Sequence, residues 1–448
     1  MRLSLIVASL ALLPLGVSAQ TAPSAPVPPS QAPAGAGGTG ALAAGLPNLA
    51  PVRPIAATPE EEALARQRFA ALMDAGRSGR GLETYDPMEA VPGAQRWRPL
   101  PKAAPRQRTV SEEALTATRD YARAKNSSAF IVWRDGRIEE ETYFGEGRDA
   151  TDTIVSRSLA KPMTTVAVGR AIALGKIRSL DQPMADFFPE WRNDIRAKIT
   201  VRMMLNMTSG FLPQDFSPDP AHILNRAYLH PRHDEVILHE YPITHEPGTR
   251  YEYNNATSEM IAPLIERATG MRYAEFLSKE VLTPLGAQGG AVWVNRVGGM
   301  AHSGCCLLIP PESWLRLAIL FGQDGVWEGR RLLPEGYMTQ VRTGSPQYPY
   351  YGLGVYVAGR YIDRRGFANP ERPAPKVLHA EPYLASDLFL FDGNGNQVVY
   401  VIPSQRLVIL RTGDPPRRGG PEWDNAFLPN TIMKGIVRGQ RTSARQPR

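Results

Sequence analysis

Cysteine is nearly missing from this chain: 448 residues contain two, and these are neighbours, Cys305 and Cys306. That excludes a disulfide framework joining distant segments, and two thiols are too few for a cysteine zinc site. The pair reads as packed, buried thiols, the usual state of free cysteine, with a vicinal disulfide as the alternative. The seven histidines form no His-Glu-x-x-His pattern. His222, His230, His233, His239 and His245 fall between Gly210 and Pro247 without ligand spacing. That segment reads as a surface insertion over the mouth of a site rather than a metal centre. No metal or organic cofactor is implied. Past the N-terminus no stretch reaches the ~20 apolar residues of a spanning helix. The formal charge of +7 is not gathered into a basic run with interleaved aromatics, so nucleic acid is not an expected partner. No internal repeat is present, and oligomeric state has no sequence signal.

What is present begins with a leader. Arg2 precedes the apolar run from Leu3 to Val17, which ends in Val17-Ser18-Ala19. This pattern predicts a cleaved signal peptide at 1–19, and hence a periplasmic or secreted protein, because the run is short for a membrane anchor. Residues 20–57, rich in Pro, Ala and Gly, predict a flexible linker. An N-terminal extension over 58–109 and a main domain over 110–440 follow.

Helical signals start at Pro59 and again at Ser111 through Lys125, where Thr109-Val110-Ser111-Glu112 offers a capping box. Asp135-Gly136 between two β-type runs predicts a hairpin. After Ser158 a helix apolar on several sides predicts a central, buried element stopped at Gly175. Strands are expected again at 388–391, 398–402 and 407–411. Early and late strands can share one sheet while the middle packs beside it. The fold class is therefore α+β, with a mostly antiparallel sheet flanked by helices.

Three segments carry chemistry. Ser158 and Lys161 stand one helical turn apart on one face, so a hydroxyl and an amine able to act as its base can meet. Pro247-Gly248 turns the chain into Tyr253-Asn254-Asn255 just before a helix. A tyrosine near a lysine can move protons, and Asn255 can fix the amine or a substrate carbonyl. The glycine-rich run from Phe391 to Gln397 is either a plain β-turn or a strand end that aims a backbone N–H at a substrate oxygen.

Together, in this order, these segments resemble the serine β-lactamase and penicillin-binding-protein-like superfamily, in its class C-like branch. That branch includes β-lactamases, D-alanyl-D-alanine carboxypeptidases, family VIII esterases and 6-aminohexanoate-dimer hydrolases. The resemblance runs from about 110 to 435 through Ser156–Lys161, Ala171–Ile177, Leu180–Pro183, Ile199–Leu205, Thr208–Gly210, Pro247–Asn255, Ile265–Gly270, Asp324–Trp327 and Tyr351–Gly354. It implies a β-lactamase/transpeptidase-like fold, with Ser158 as acylated nucleophile, Lys161 as its activator and Tyr253 as proton shuttle. Asn255 would steady lysine and substrate, and the oxyanion hole would be formed at Ser158 and at Asn394 after Gly393. Members acting on β-lactams carry Lys-Thr-Gly or His-x-Gly where this chain has Phe391-Asp392-Gly393. The missing cation implies a neutral ester or linear amide as substrate. The Gly393–Gln397 ending is similar to that of the 6-aminohexanoate-dimer hydrolases. Two alternatives stay open: β-lactamase or carboxypeptidase activity, and a catalytically silent envelope module.

Overall fold

The computed structural model describes residues 47–78, 85–415 and 420–437. The expected leader and most of the expected linker lie outside them. Its first helix, α1, spans Pro59–Ser78. Ahead of it the Leu49 N–H donates to the Ile243 carbonyl at 2.7 Å and the Arg53 N–H to that of His239 at 3.0 Å. The chain is thus pinned to the main body before the expected linker end at residue 57.

The hairpin forms where Asp135-Gly136 requires it. Both residues take positive φ, +49° and +88°, as a two-residue type I′ connection demands. They join β1 (Ser127–Arg134) to β2 (Arg137–Tyr143). The sheet is completed from the other end of the chain by β3 (Tyr356–Val357), β4 (Phe389–Gly393), β5 (Gln397–Ile402) and β6 (Leu407–Gly413). Its order is β2-β1-β6-β5-β4-β3, antiparallel throughout.

Alternation along these strands splits the side chains between two layers. Phe130, Val132, Leu390, Tyr400 and Ile409 pack under α2 (Glu112–Ala124) and the last described helix, Phe427–Lys434. Ile131, Trp133, Phe391, Val399 and Leu410 face the larger core, which holds α3 (Ala160–Ala173). That helix is buried nearly all round, as its composition predicts, and Gly175 ends it at φ +68°. The guanidinium of Arg411, fully buried in β6, donates to the carbonyls of Lys125, Gly395, Asn396 and Asp414 and to Ser127 Oγ.

A smaller sheet pairs Met88–Val91, Gly290–Trp293, Leu307–Ile309 and Ile154–Val155 in that order. Its last strand runs into Ser156 and so delivers the segment that carries Ser158.

Three expectations need correction. The cap of α2 is Ser111, whose Oγ accepts from the Ala114 N–H, while the Thr109 N–H turns away to the Glu139 carboxylate. The histidine segment is no surface insertion. It forms helices Ile223–Leu229 and His233–His239, and His230 and His233 are fully buried. Cys305 and Cys306 are buried as expected, but they are joined to each other as a disulfide.

Candidate active site

The site is built at the seam between the two sheets. Ser156 pairs with Leu307 in both directions, its N–H donating to the Leu307 carbonyl and its Oγ accepting from the Leu307 N–H, each at 3.0 Å. From the large sheet, Gln397 Nε2 donates to the Val155 carbonyl at 2.8 Å. Arg157 then takes a left-handed conformation, φ +50°, a cost tolerated in a bulky residue where its surroundings fix it. Its guanidinium is held by the Tyr85 hydroxyl. With Ser156 already in the helical region, φ −64° and ψ −31°, Arg157 turns the chain from the strand into the short turn that becomes α3.

One turn after Ser158, at the start of α3, Lys161 is 3% exposed. Its Nζ donates to Ser158 Oγ at 3.0 Å, to Asn255 Oδ1 at 2.9 Å and to the Gly304 carbonyl at 3.3 Å. An ammonium has three hydrogens, and all three are used. The amine also lies 4.8 Å from the centre of the Tyr253 ring, a cation–π contact. The Tyr253 hydroxyl donates to Ser158 Oγ at 2.8 Å. Ser158 Oγ therefore has two proton-carrying partners within direct reach.

Tyr253 is held on several sides. Phe367 meets its ring edge-on at 5.1 Å and Tyr351 at 6.4 Å. The Gln214 N–H donates to the Tyr253 carbonyl at 3.1 Å, and Gln214 Oε1 accepts from the Asn255 N–H at 3.1 Å. Asn255 opens α4 (Asn255–Glu259), and Asn254 caps it by accepting from the Thr257 N–H.

The structure thus brings Ser158, Lys161, Tyr253 and Asn255 together. Gly393 is close too: a Cβ there would lie 2.9 Å from the Ser156 carbonyl and 3.2 Å from the Leu159 nitrogen. Asn394 follows it, exposed, at the end of β4. Phe391 is fully buried against Phe321, ring centres 5.2 Å apart, so it offers nothing to a substrate. Asp392 alternates to the other face from Gly393. Burial pushes its carboxyl up to about 7, which the Arg365 charge offsets in part.

Gly304, Gln214 and Phe367 carried no sequence signal. The Gly304 carbonyl is 143 residues from the lysine it meets and contributes backbone alone.

Behind this site His233, Glu259 and His302 are buried together, donor atoms within 4.8 Å of one another. Asn295 Oδ1 accepts from the Met300 N–H, so its Nδ2 faces His233 Nδ1 at 3.0 Å. Nδ1 must then accept, which puts the His233 proton on Nε2, toward the Glu259 carboxylate. His233 thus presents an N–H toward the cluster, while the Glu259 carboxylate oxygens and the His302 ring nitrogens have no hydrogen-bond partner among the described residues.

Residues 113–304 match the family model described as Beta-lactamase. A 6-aminohexanoate-dimer hydrolase of Paenarthrobacter ureafaciens is 25% identical over 233 residues, 49% of this chain and 58% of that protein. A lovastatin esterase of Penicillium rubens is 25% identical over 185 residues, 36% of this chain and 46% of that protein. The chain thus spans about half the length of these curated relatives. A solved structure from Bacillus anthracis, described as a candidate 6-aminohexanoate-dimer hydrolase, superposes with a TM-score of 0.60 at 16% identity. The match covers 78% of this chain and 89% of that one, and at this identity the likeness is one of fold.

Proposed function

We propose that this chain, which belongs to the serine β-lactamase and penicillin-binding-protein-like superfamily, hydrolyses an ester or linear amide through an acyl-enzyme on Ser158. The observation that carries the reading is the convergence of Lys161 Nζ and the Tyr253 hydroxyl on Ser158 Oγ, at 3.0 and 2.8 Å. Nucleophile and base within hydrogen-bond reach, with the base oriented by a third group, is the arrangement covalent catalysis needs.

For the attack the Lys161–Tyr253 pair must hold one proton fewer, as Tyr253 phenolate beside the ammonium or as neutral amine beside the phenol. Ser158 Oγ then attacks the substrate carbonyl carbon and gives its proton to that pair. The carbonyl electrons move onto oxygen, held by the N–H groups of Ser158 and Asn394. Collapse expels the alcohol or amine, which takes its proton back through Tyr253. Water then attacks the acyl group, the same pair accepts the water proton and passes it to Ser158 Oγ as the acyl–oxygen bond breaks, and the acid is released. Asn255 keeps Lys161 aligned throughout.

Phe391 supports a neutral substrate. It sits in the core where a cation would be needed to pair with a β-lactam or stem-peptide carboxylate. Nitrocefin should therefore be turned over far more slowly than an activated ester. The reading also includes export by a cleaved leader at 1–19, checked by N-terminal sequencing of the mature protein. Among the described residues no helix is long and apolar enough to cross a membrane.

The direct test compares p-nitrophenyl butyrate hydrolysis by wild type and Ser158→Ala. Turnover in wild type and none in the folded variant is expected. Equal turnover in both would remove Ser158 from the mechanism.

A further inference from the structure

The carbonyl that takes the third hydrogen of Lys161 belongs to Gly304, and the next two residues are the joined pair Cys305–Cys306. This turn is clamped at both ends. Ser303 Oγ donates to the Ser258 carbonyl at 2.7 Å and accepts from the Ala262 N–H at 3.0 Å. Leu307, at the far end, is the residue paired twice with Ser156. Gly304 is wedged on α4, where a Cβ would lie 2.9 Å from both Ser258 Cβ and Glu259 Oε1. One short turn therefore touches the nucleophile strand, the lysine and the helix that begins with Asn255.

Inside the turn Cys306 holds φ +66°, a region costly for any residue with a Cβ. The disulfide closes a small ring across the Cys305–Cys306 peptide bond and so opposes rotation out of that conformation. The Tyr228 hydroxyl lies 3.4 Å from Cys305 Sγ and 3.5 Å from Cys306 Sγ. Around the sulfurs pack Tyr85, Leu229 and Trp293. Separate thiols need more room than one S–S bond, and a close-packed cluster yields it by moving the turn.

We propose that the Cys305–Cys306 disulfide is a positioning element for Lys161, and that its reduction by a dithiol moves the Gly304 carbonyl off the amine and slows hydrolysis. In that step the S–S bond breaks and two S–H bonds form. The two electrons and two protons come from the dithiol, which becomes its own disulfide. The inference rests on the hydrolase reading above.

The test uses the purified full chain in three forms: as isolated, treated with dithiothreitol, and as the double variant Cys305→Ala/Cys306→Ala. Thiols are counted by alkylation and mass, and competent Ser158 by fluorophosphonate labelling. Values of kcat and KM for p-nitrophenyl butyrate are taken across pH. The reduced chain and the double variant should lose kcat on the order of tenfold, since misplacement of about 1 Å can cost ~100-fold. KM should stay nearly constant, and the basic limb of the kcat profile should shift. Reoxidation should restore wild type and not the variant. A general packing defect would lower the competent fraction and leave the pH profile in place.

An unchanged kcat and profile in the fully reduced chain would overturn the proposal. If the native disulfide resists dithiothreitol, the same result in the folded double variant would do so. Full activity with two free thiols in the isolated protein would also overturn it. Turnover that survives Ser158→Ala would instead strike the hydrolase reading.

Discussion

Lys161 has as many acceptors as hydrogens, and that sets what its removal costs. Lys161→Ala leaves Asn255 Oδ1 and the Gly304 carbonyl without their donor. A buried acceptor stripped of its partner costs about 1–3 kcal/mol, so a lower melting temperature should accompany lost turnover. Lys161→Arg should recover little activity, because a planar guanidinium cannot reproduce three divergent donors on one atom. Steady-state kinetics and thermal melts of both variants check this. Ser158 and Lys161 were expected to meet because one helical turn puts them on one face, and the structure brings Nζ to 3.0 Å from Oγ. Tyr253, which the structure also brings to Oγ, was singled out by the family resemblance and not by a local code. Gly304 was not, since its contribution is a backbone carbonyl placed by the fold. The cysteines were legible as buried but not as joined, because adjacency alone does not impose the positive φ found at Cys306.

At the scale of elements, β4 and the turn that carries Ser158 are packed backbone to backbone at Gly393. Gly393→Ala puts a methyl 2.9 Å from the Ser156 carbonyl, so one of the two must shift. The expected result is a fall in kcat on the order of 100-fold, larger than its effect on melting would suggest, because the shift acts where the reacting atoms are aligned. Ser111→Ala is the contrasting change. It removes the cap of α2, far along the chain from Ser158, and should cost about 1 kcal/mol in a denaturant melt with kcat intact. Elements with a strong local code were readable, as with the Asp135-Gly136 hairpin and the all-apolar α3. The histidine segment misled because titratable side chains suggest a surface. His230 and His233 are inside because helices Ile223–Leu229 and His233–His239 fold into the core, a tertiary outcome with no local mark.

For the whole molecule, two buried groups set opposing pH trends. Burial and the Arg365 charge hold His379 down to about 4, against 6.5 in an open chain. Between those values the unfolded chain binds more protons, so this group makes stability rise with pH. Asp392, pushed up to about 7 from 3.8, does the reverse: the folded chain binds more protons, and stability falls as pH rises through that window. The two slopes oppose each other between about 4 and 6.5. Asp392→Asn should therefore expose the rising trend, melting higher than wild type at pH 8 with the advantage shrinking toward pH 4. The α+β class and the antiparallel sheet were readable from the order of strand and helix signals. The second sheet was not, because Met88–Val91 and Ile154–Val155 are short strands that become strands through their partners.

The route by which β1 finds β6 has a consequence in time. Strand residues 127–134 pair with residues 407–413, and Gln397 beside them braces the strand that leads to Ser158. Contacts this far apart in the chain form late, after a large loop has closed. Ser158 is made long before Gln397, which lies 242 residues beyond the Val155 carbonyl it braces, so its turn stays unbraced until that later strand has emerged. Under the proposed function, a chain assembled in this order is inert while nascent, and its reactivity switches on together with completion of the sheet.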